Sequence, residues 1–221
     1  MTREPPSEIE PGRQFEPGPI GGQLANIVRG LLIRTRFVNL AKRQHSLGVI
    51  SLFSFVNGCL SIGIMSLAAL VSGQPFIFPS LGPTAFLFFY TPLTPPASPR
   101  NALIGHFIGV VAGWTSLLVF GLQHVGPAIS TGVTGPRVAA AALSLGLTSG
   151  FMVLLKAPHP PAGATTLIVS LGILRSFDQM VVLMVAVLLL TIQAFVINRL
   201  AGLPYPVWAA PASEPSANQN G

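Results

Sequence analysis

Between Gln44 and Pro99 this chain carries no Asp, Glu, Lys or Arg, and between Arg100 and Arg199 only Arg137, Lys156, Arg175 and Asp178 interrupt the same silence. Long stretches without charge suit a hydrocarbon surrounding, because a charged side chain in the middle of a bilayer costs several kcal/mol. A water-facing surface requires roughly a quarter of charged residues, whereas only 8% of these 221 residues are charged and 50% are apolar. The expectation is therefore an all-α membrane protein rather than a soluble domain.

Within that frame the apolar segments fall into two lengths. Four, Leu47–Val71, Asn101–Leu122, Val138–Leu155 and Gln179–Asn198, approach the roughly 20 residues that a helix needs to cross. Two others, Pro79–Tyr90 and Pro161–Leu174, would reach only about 18–21 Å as helices and read as short broken or re-entrant helices. The expected fold is four transmembrane helices plus these two short ones. If the short segments turn back, there are four crossings and parallel halves; if they cross, six crossings and inverted halves. Helix length alone favours four.

The short segments share a pattern. Pro79-Ser80-Leu81-Gly82-Pro83-Thr84 and Pro160-Pro161-Ala162-Gly163-Ala164-Thr165 both read P-x-x-G-x-T, 81 residues apart (160 − 79), and the flanking spans keep the register. A two-fold internal repeat is expected, with halves at about 47–122 and 137–203 within a membrane domain over 45–203. Around it, residues 1–22 and 204–221 have the Pro-, Gly- and Ser-rich composition of disordered tails. Residues 23–44 hold Arg29, Arg34, Arg36, Lys42 and Arg43 without an acid, as a basic amphipathic helix on a membrane surface does. Those cations place the N-terminus in the cytoplasm, and the expected location is a bacterial inner (plasma) membrane crossed several times.

The net charge of +6 does not point to nucleic acid, since the basic residues flank apolar runs and form no aromatic-interleaved patch. A single cysteine, Cys59, excludes disulfides within the chain and thiolate zinc sites; no metal and no cofactor are expected. Small-residue rows at Gly105, Gly109, Gly113 and at Ala142, Gly146, Gly150 let helix backbones approach closely and are compatible with a homodimer.

Non-helical backbone in a membrane is tolerated only where protein or a water-filled cavity satisfies it, so the two breaks are the functional candidates. Proline belongs in the first turn of a helix. The amides from Gly82 to Thr84 and from Gly163 to Thr165 would then be unpaired donors at positive helix ends, suited to a small anion. Ser80, Gly82, Thr84, Gly163, Thr165 and Thr166 are the expected binding residues, with His159 beside the second break. Arg100, Asn101, His106 and Lys156 are expected in a vestibule or gate. The alternative is a non-transporting membrane scaffold or sensor, and an intramembrane enzyme is disfavoured further: there is no G-x-S-x-G, no carboxylate to orient a histidine and no H-E-x-x-H.

These motifs carry a resemblance. His159-Pro160-Pro161-Ala162-Gly163-Ala164-Thr165, Pro99-Arg100-Asn101 with Gly105-His106, and Phe78–Ala85 resemble the elements of the HPP family of integral membrane proteins over about residues 45–200. The resemblance implies four crossings and, since some members are implicated in nitrite transport, a nitrite transporter or channel. Ile104 departs from the glycine often found at that position.

Overall fold

The computed structural model describes residues 47–210. The expected N-terminal tail, the surface helix over 23–44 and residues 211–221 lie outside the described residues. Seven α-helices make up the described part: α1 Leu47–Ser72, α2 Leu81–Tyr90, α3 Pro99–Val119, α4 Ala128–Thr131, α5 Gly135–Leu154, α6 Ala162–Ser170 and α7 Phe177–Leu200, with a 3-10 turn at Pro95–Ala97. Four of them, α1, α3, α5 and α7, are long and apolar enough to cross a membrane. Large apolar side chains such as Leu70, Val71, Ile129, Val153 and Leu200 point outward, as lipid-facing residues do.

Local chemistry sets the helix limits. α3 starts where Ser98 accepts the Asn101 amide and Pro99 supplies a preset φ. At the start of α7, Ser176 and Gln179 form a capping box. α2 stops because Thr91 precedes Pro92 and so leaves helical geometry. α6 cannot begin earlier than the His159-Pro160-Pro161 run allows, and it ends where Gly172 turns left-handed at φ 77°.

Hydrogen bonds between elements show which way each one runs. At one end of the bundle, Ser54 near the start of α1 donates to the Phe89 carbonyl at 3.3 Å, and Asn198 near the end of α7 donates to the Phe88 carbonyl at 3.0 Å. At that same end Arg100, starting α3, donates to the carbonyls of Leu155 and Lys156 after α5. At the opposite end Arg137, starting α5, donates to the Ser170 carbonyl that closes α6 (3.1 Å) and to Gly126 (2.9 Å), and Arg175 before α7 reaches the Val125 carbonyl at 3.2 Å. The chain thus passes the length of the bundle six times.

Two of the six passages consist of a non-helical lead-in that ends in a turn, at 79–80 and at 160–161, followed by a half-length helix. Of the two arrangements open from the sequence, the structure therefore takes the broken one and not the re-entrant one that helix length favours. The reason is geometric. Non-helical residues 73–80 and about 15 Å of α2 together carry the chain from the end of α1 to the end of the bundle marked by Phe88 and Phe89. The first half, α1 to α3, and the second, α5 to α7, consequently run in opposite senses.

α3 lies at the centre, packed against α5, α6 and α7. Its glycines are what make this approach close: a β-carbon at Gly105 would stand 2.7 Å from the His159 Cβ, and one at Gly109 would stand 2.8 Å from the Ala162 carbonyl. The second small-residue row behaves otherwise. Ala142, Gly146 and Gly150 face outward from α5, and the two glycines have nothing within 4 Å of an added β-carbon. Residues 204–210, expected as the start of a tail, instead pack back on the bundle: Tyr205 is fully buried and the Trp208 carbonyl accepts the Arg100 amide at 2.9 Å.

Candidate functional site

α2 and α6 both begin inside the bundle, and their first turns meet on one imidazole. His106, on the second turn of α3, lies with Nε2 2.9 Å from the Thr84 hydroxyl and Nδ1 2.7 Å from the Thr165 hydroxyl. These threonines close the two P-x-x-G-x-T motifs. Thr84 also lies 3.3 Å from His159 Nε2 and can donate to the Ser80 carbonyl at 2.8 Å. His159 is held from behind, where its Nδ1 meets the Pro96 carbonyl at 2.7 Å. All four side chains are fully buried, and the two imidazole rings lie 4.9 Å apart between centroids.

Donor and acceptor accounting assigns the protons. The Pro96 carbonyl can only accept, so His159 carries its proton on Nδ1. With the Thr84 proton on Ser80 or His159, the His106–Thr84 bond is donated by His106 Nε2–H and Nδ1 accepts from Thr165; with that proton on His106 Nε2, the tautomer reverses and Nδ1–H donates to Thr165. The Pro96 carbonyl fixes the His159 tautomer from its far nitrogen, while His106 lies between two hydroxyls.

Beside this row a cleft of about 670 Å³ opens along α5 and the start of α6, lined by Thr148, Met152, Lys156, His159 and Gly163 among others. Lys156 at its rim is exposed and adopts φ 50°. It occupies the left-handed position of a helix C-terminal cap: Ala157 N–H donates to the Met152 carbonyl and Lys156 N–H to that of Val153. The equivalent places after α3, α6 and α7 hold Gly121, Gly172 and Gly202. A non-glycine residue there costs about 1 kcal/mol, and strain of this kind often accompanies function.

The remaining expected residues divide. Thr166 is buried against α5, its hydroxyl 2.7 Å from that of Thr148, a partner whose role nothing in the sequence signalled. Ser80 is buried beside Thr84 with a hydroxyl that has no hydrogen-bond partner. Gly163 lines the cleft, but Gly82 faces outward with open space around it. The amides of Gly163 and Ala164 are also taken, by the carbonyls of Pro160 and Pro161, so polar side chains, more than bare amides, line the interior. Arg100 and Asn101 sit at the helix ends beside the loop that carries Lys156. Arg100 caps α5 and donates to the Asn101 side chain, which itself donates to the Pro95 carbonyl.

Arg137, one of the few charges between Arg100 and Arg199, is fully buried, with its guanidinium against Gly172. It satisfies the last carbonyl of α6 and the Gly126 carbonyl, which broken backbone inside a membrane demands.

Among known proteins, the chain is similar to two transmembrane proteins of Dictyostelium discoideum. One is 28% identical over 137 residues, covering 60% of this chain and 45% of that protein. The other is 30% identical over 118 residues, covering 53% and 34%. The chain thus matches less than half the length of either relative. No solved structure matches it. The family model for the HPP transmembrane region matches residues 43–206, a range that holds both half-helices, both buried histidines and all four long helices. The chain belongs to the HPP family of membrane proteins.

Proposed function

We propose that this protein transports a small monovalent anion across the membrane, with nitrite as the first substrate to test on the strength of the family resemblance. One observation carries the reading: two half-helices start inside the bundle, and the threonines of their first turns, Thr84 and Thr165, meet on a single buried imidazole. The electrostatics agree. Asp178 is the only acid among the described residues, and it is exposed, so nothing in the described interior repels an anion. The anion's place is the cleft at the start of α6, between Lys156 and His159. Transport is favoured over catalysis because no carboxylate orients either imidazole and the Ser80 hydroxyl has no base beside it.

We also infer that the chain is an inverted repeat. Support comes from the packing partners: exchanging α1, α2 and α3 for α5, α6 and α7 turns each closely packed pair among these six helices into a closely packed pair, with α3–α7 mapped onto itself. α1 meets α2 as α5 meets α6, and α3 meets α6 as α7 meets α2. With the basic N-terminal segment in the cytoplasm, Arg100, Lys156 and Arg199 fall on the cytoplasmic side, in keeping with the positive-inside tendency. The cleft then opens toward the cytoplasm. The bare row on α5 is the face on which a second copy would pack closely.

Flux into proteoliposomes tests the proposal. Purified protein should take up nitrite faster than protein-free vesicles do, and Gly163→Leu, which fills the cleft, should lower uptake by about tenfold, equivalent to ~1.4 kcal/mol. A wild-type protein that moves none of nitrite, nitrate, formate or chloride refutes it.

A further inference from the structure

Thr84 has one proton and two acceptors for it. Its hydroxyl lies 2.8 Å from the Ser80 carbonyl and 3.3 Å from His159 Nε2. While His159 is neutral, Nε2 is a bare acceptor in a buried place, and only the Thr84 hydroxyl is at hand to satisfy it. Were His159 to bind a second proton, Nε2–H would donate to Thr84, whose own proton would turn to Ser80. Both states are fully bonded, and they differ by the rotation of one hydroxyl. In both states His106 Nε2–H can go on donating to Thr84 while Nδ1 accepts from Thr165, so neither change requires His106 to move a proton.

We propose that His159 and Thr84 form a proton-loading site, so that the anion crosses together with one proton. The inference rests on the transport reading above and deepens it. When the His159 ring turns toward the cleft that it lines, a hydronium ion there gives its proton to Nε2, forming an N–H bond and leaving water. The imidazolium then lies beside the anion in the same cleft, and each makes the other cheaper to hold away from water. Release of the anion removes that support and returns the proton.

The surroundings leave this task to His159. The loop that carries it holds Lys156 at the cleft rim, and from α3 it is faced by Arg100, spent on carbonyls, and by neutral His106. The buried face of α2 supplies Phe88, and beyond it lies Tyr205 from the segment after α7. α6 and the 3-10 turn contribute no titratable side chain, and Arg137 on α5 is engaged at the other end of the bundle. With two cations nearby and no carboxylate, an anion in the cleft is the group able to stabilise a charged His159.

The experiment is nitrite uptake by the full-length protein in vesicles that contain a pH-sensitive dye, with protein-free vesicles subtracted. The expected result is internal acidification in step with uptake, one proton per anion. An imposed pH difference of one unit, inside alkaline, should then sustain about a tenfold inward accumulation of nitrite. Thr84→Val, which keeps the shape and removes the hydroxyl, should reduce acidification at least to half of wild type, while Thr84→Ser should restore it. Uptake without acidification, or acidification unaffected by Thr84→Val, overturns the inference and leaves the transport reading standing. Absence of flux for any tested anion overturns both.

Discussion

Lys156 holds a backbone conformation, φ 50°, that the corresponding turns elsewhere in the fold give to glycine. Replacing it should therefore separate stability from function. Lys156→Gly is expected to raise stability by up to about 1 kcal/mol, read as a higher unfolding midpoint in detergent. It should also raise the nitrite concentration for half-maximal uptake, with the difference shrinking as salt is added. A destabilised variant with unchanged uptake would show that the lysine serves the turn only. At this scale the sequence was a partial guide. His106, His159, Thr84 and Thr165 were visible because polar groups amid apolar ones are conspicuous. The structural tasks of Arg100, Asn101 and Arg137 were not, since a cation bonded to helix-end carbonyls has the same letter as one facing an anion.

Among elements, the two small-residue rows look alike in sequence and differ in the fold. Gly109→Ala should cost about 1–3 kcal/mol, because the added carbon would meet the Ala162 carbonyl and the Thr166 hydroxyl at 2.8 Å and backbone cannot step aside. Gly146→Ala, with nothing within 4 Å, should instead be neutral or stabilise its helix by up to about 1 kcal/mol. Unfolding midpoints of the two variants provide the comparison, and equal effects would contradict the packing. The half-helices themselves were legible in the proline breaks: α2 begins at Leu81 and α6 at Ala162, the same 81-residue step as the motifs. Their passage through the bundle was not, because a hydropathy window measures how apolar a stretch is and not how far its backbone is stretched.

For the whole molecule, six passages make a prediction that four do not. In a chain whose exposed Cys59 is replaced by Ala, single cysteines at Gln74 and Leu93 should react with an impermeant thiol reagent from opposite faces of the membrane. Cysteines at Lys156 and Ile173 should do the same. Labelling of both members of a pair from one face would restore the re-entrant arrangement. The end of the chain bears on the site as well. Tyr205, sealed in the bundle, donates to the Ala97 carbonyl at 2.5 Å, and the neighbouring Pro96 carbonyl is the one that holds His159. Burial pushes the Tyr205 phenol up from its usual pKa, so this donor keeps its proton across the physiological range. The residues after the last crossing are therefore a handle on the imidazole. Tension applied there, by a fused domain or a bound neighbour, would reach the histidine through one short turn, and the start of α3 through the Arg100 amide that the Trp208 carbonyl holds.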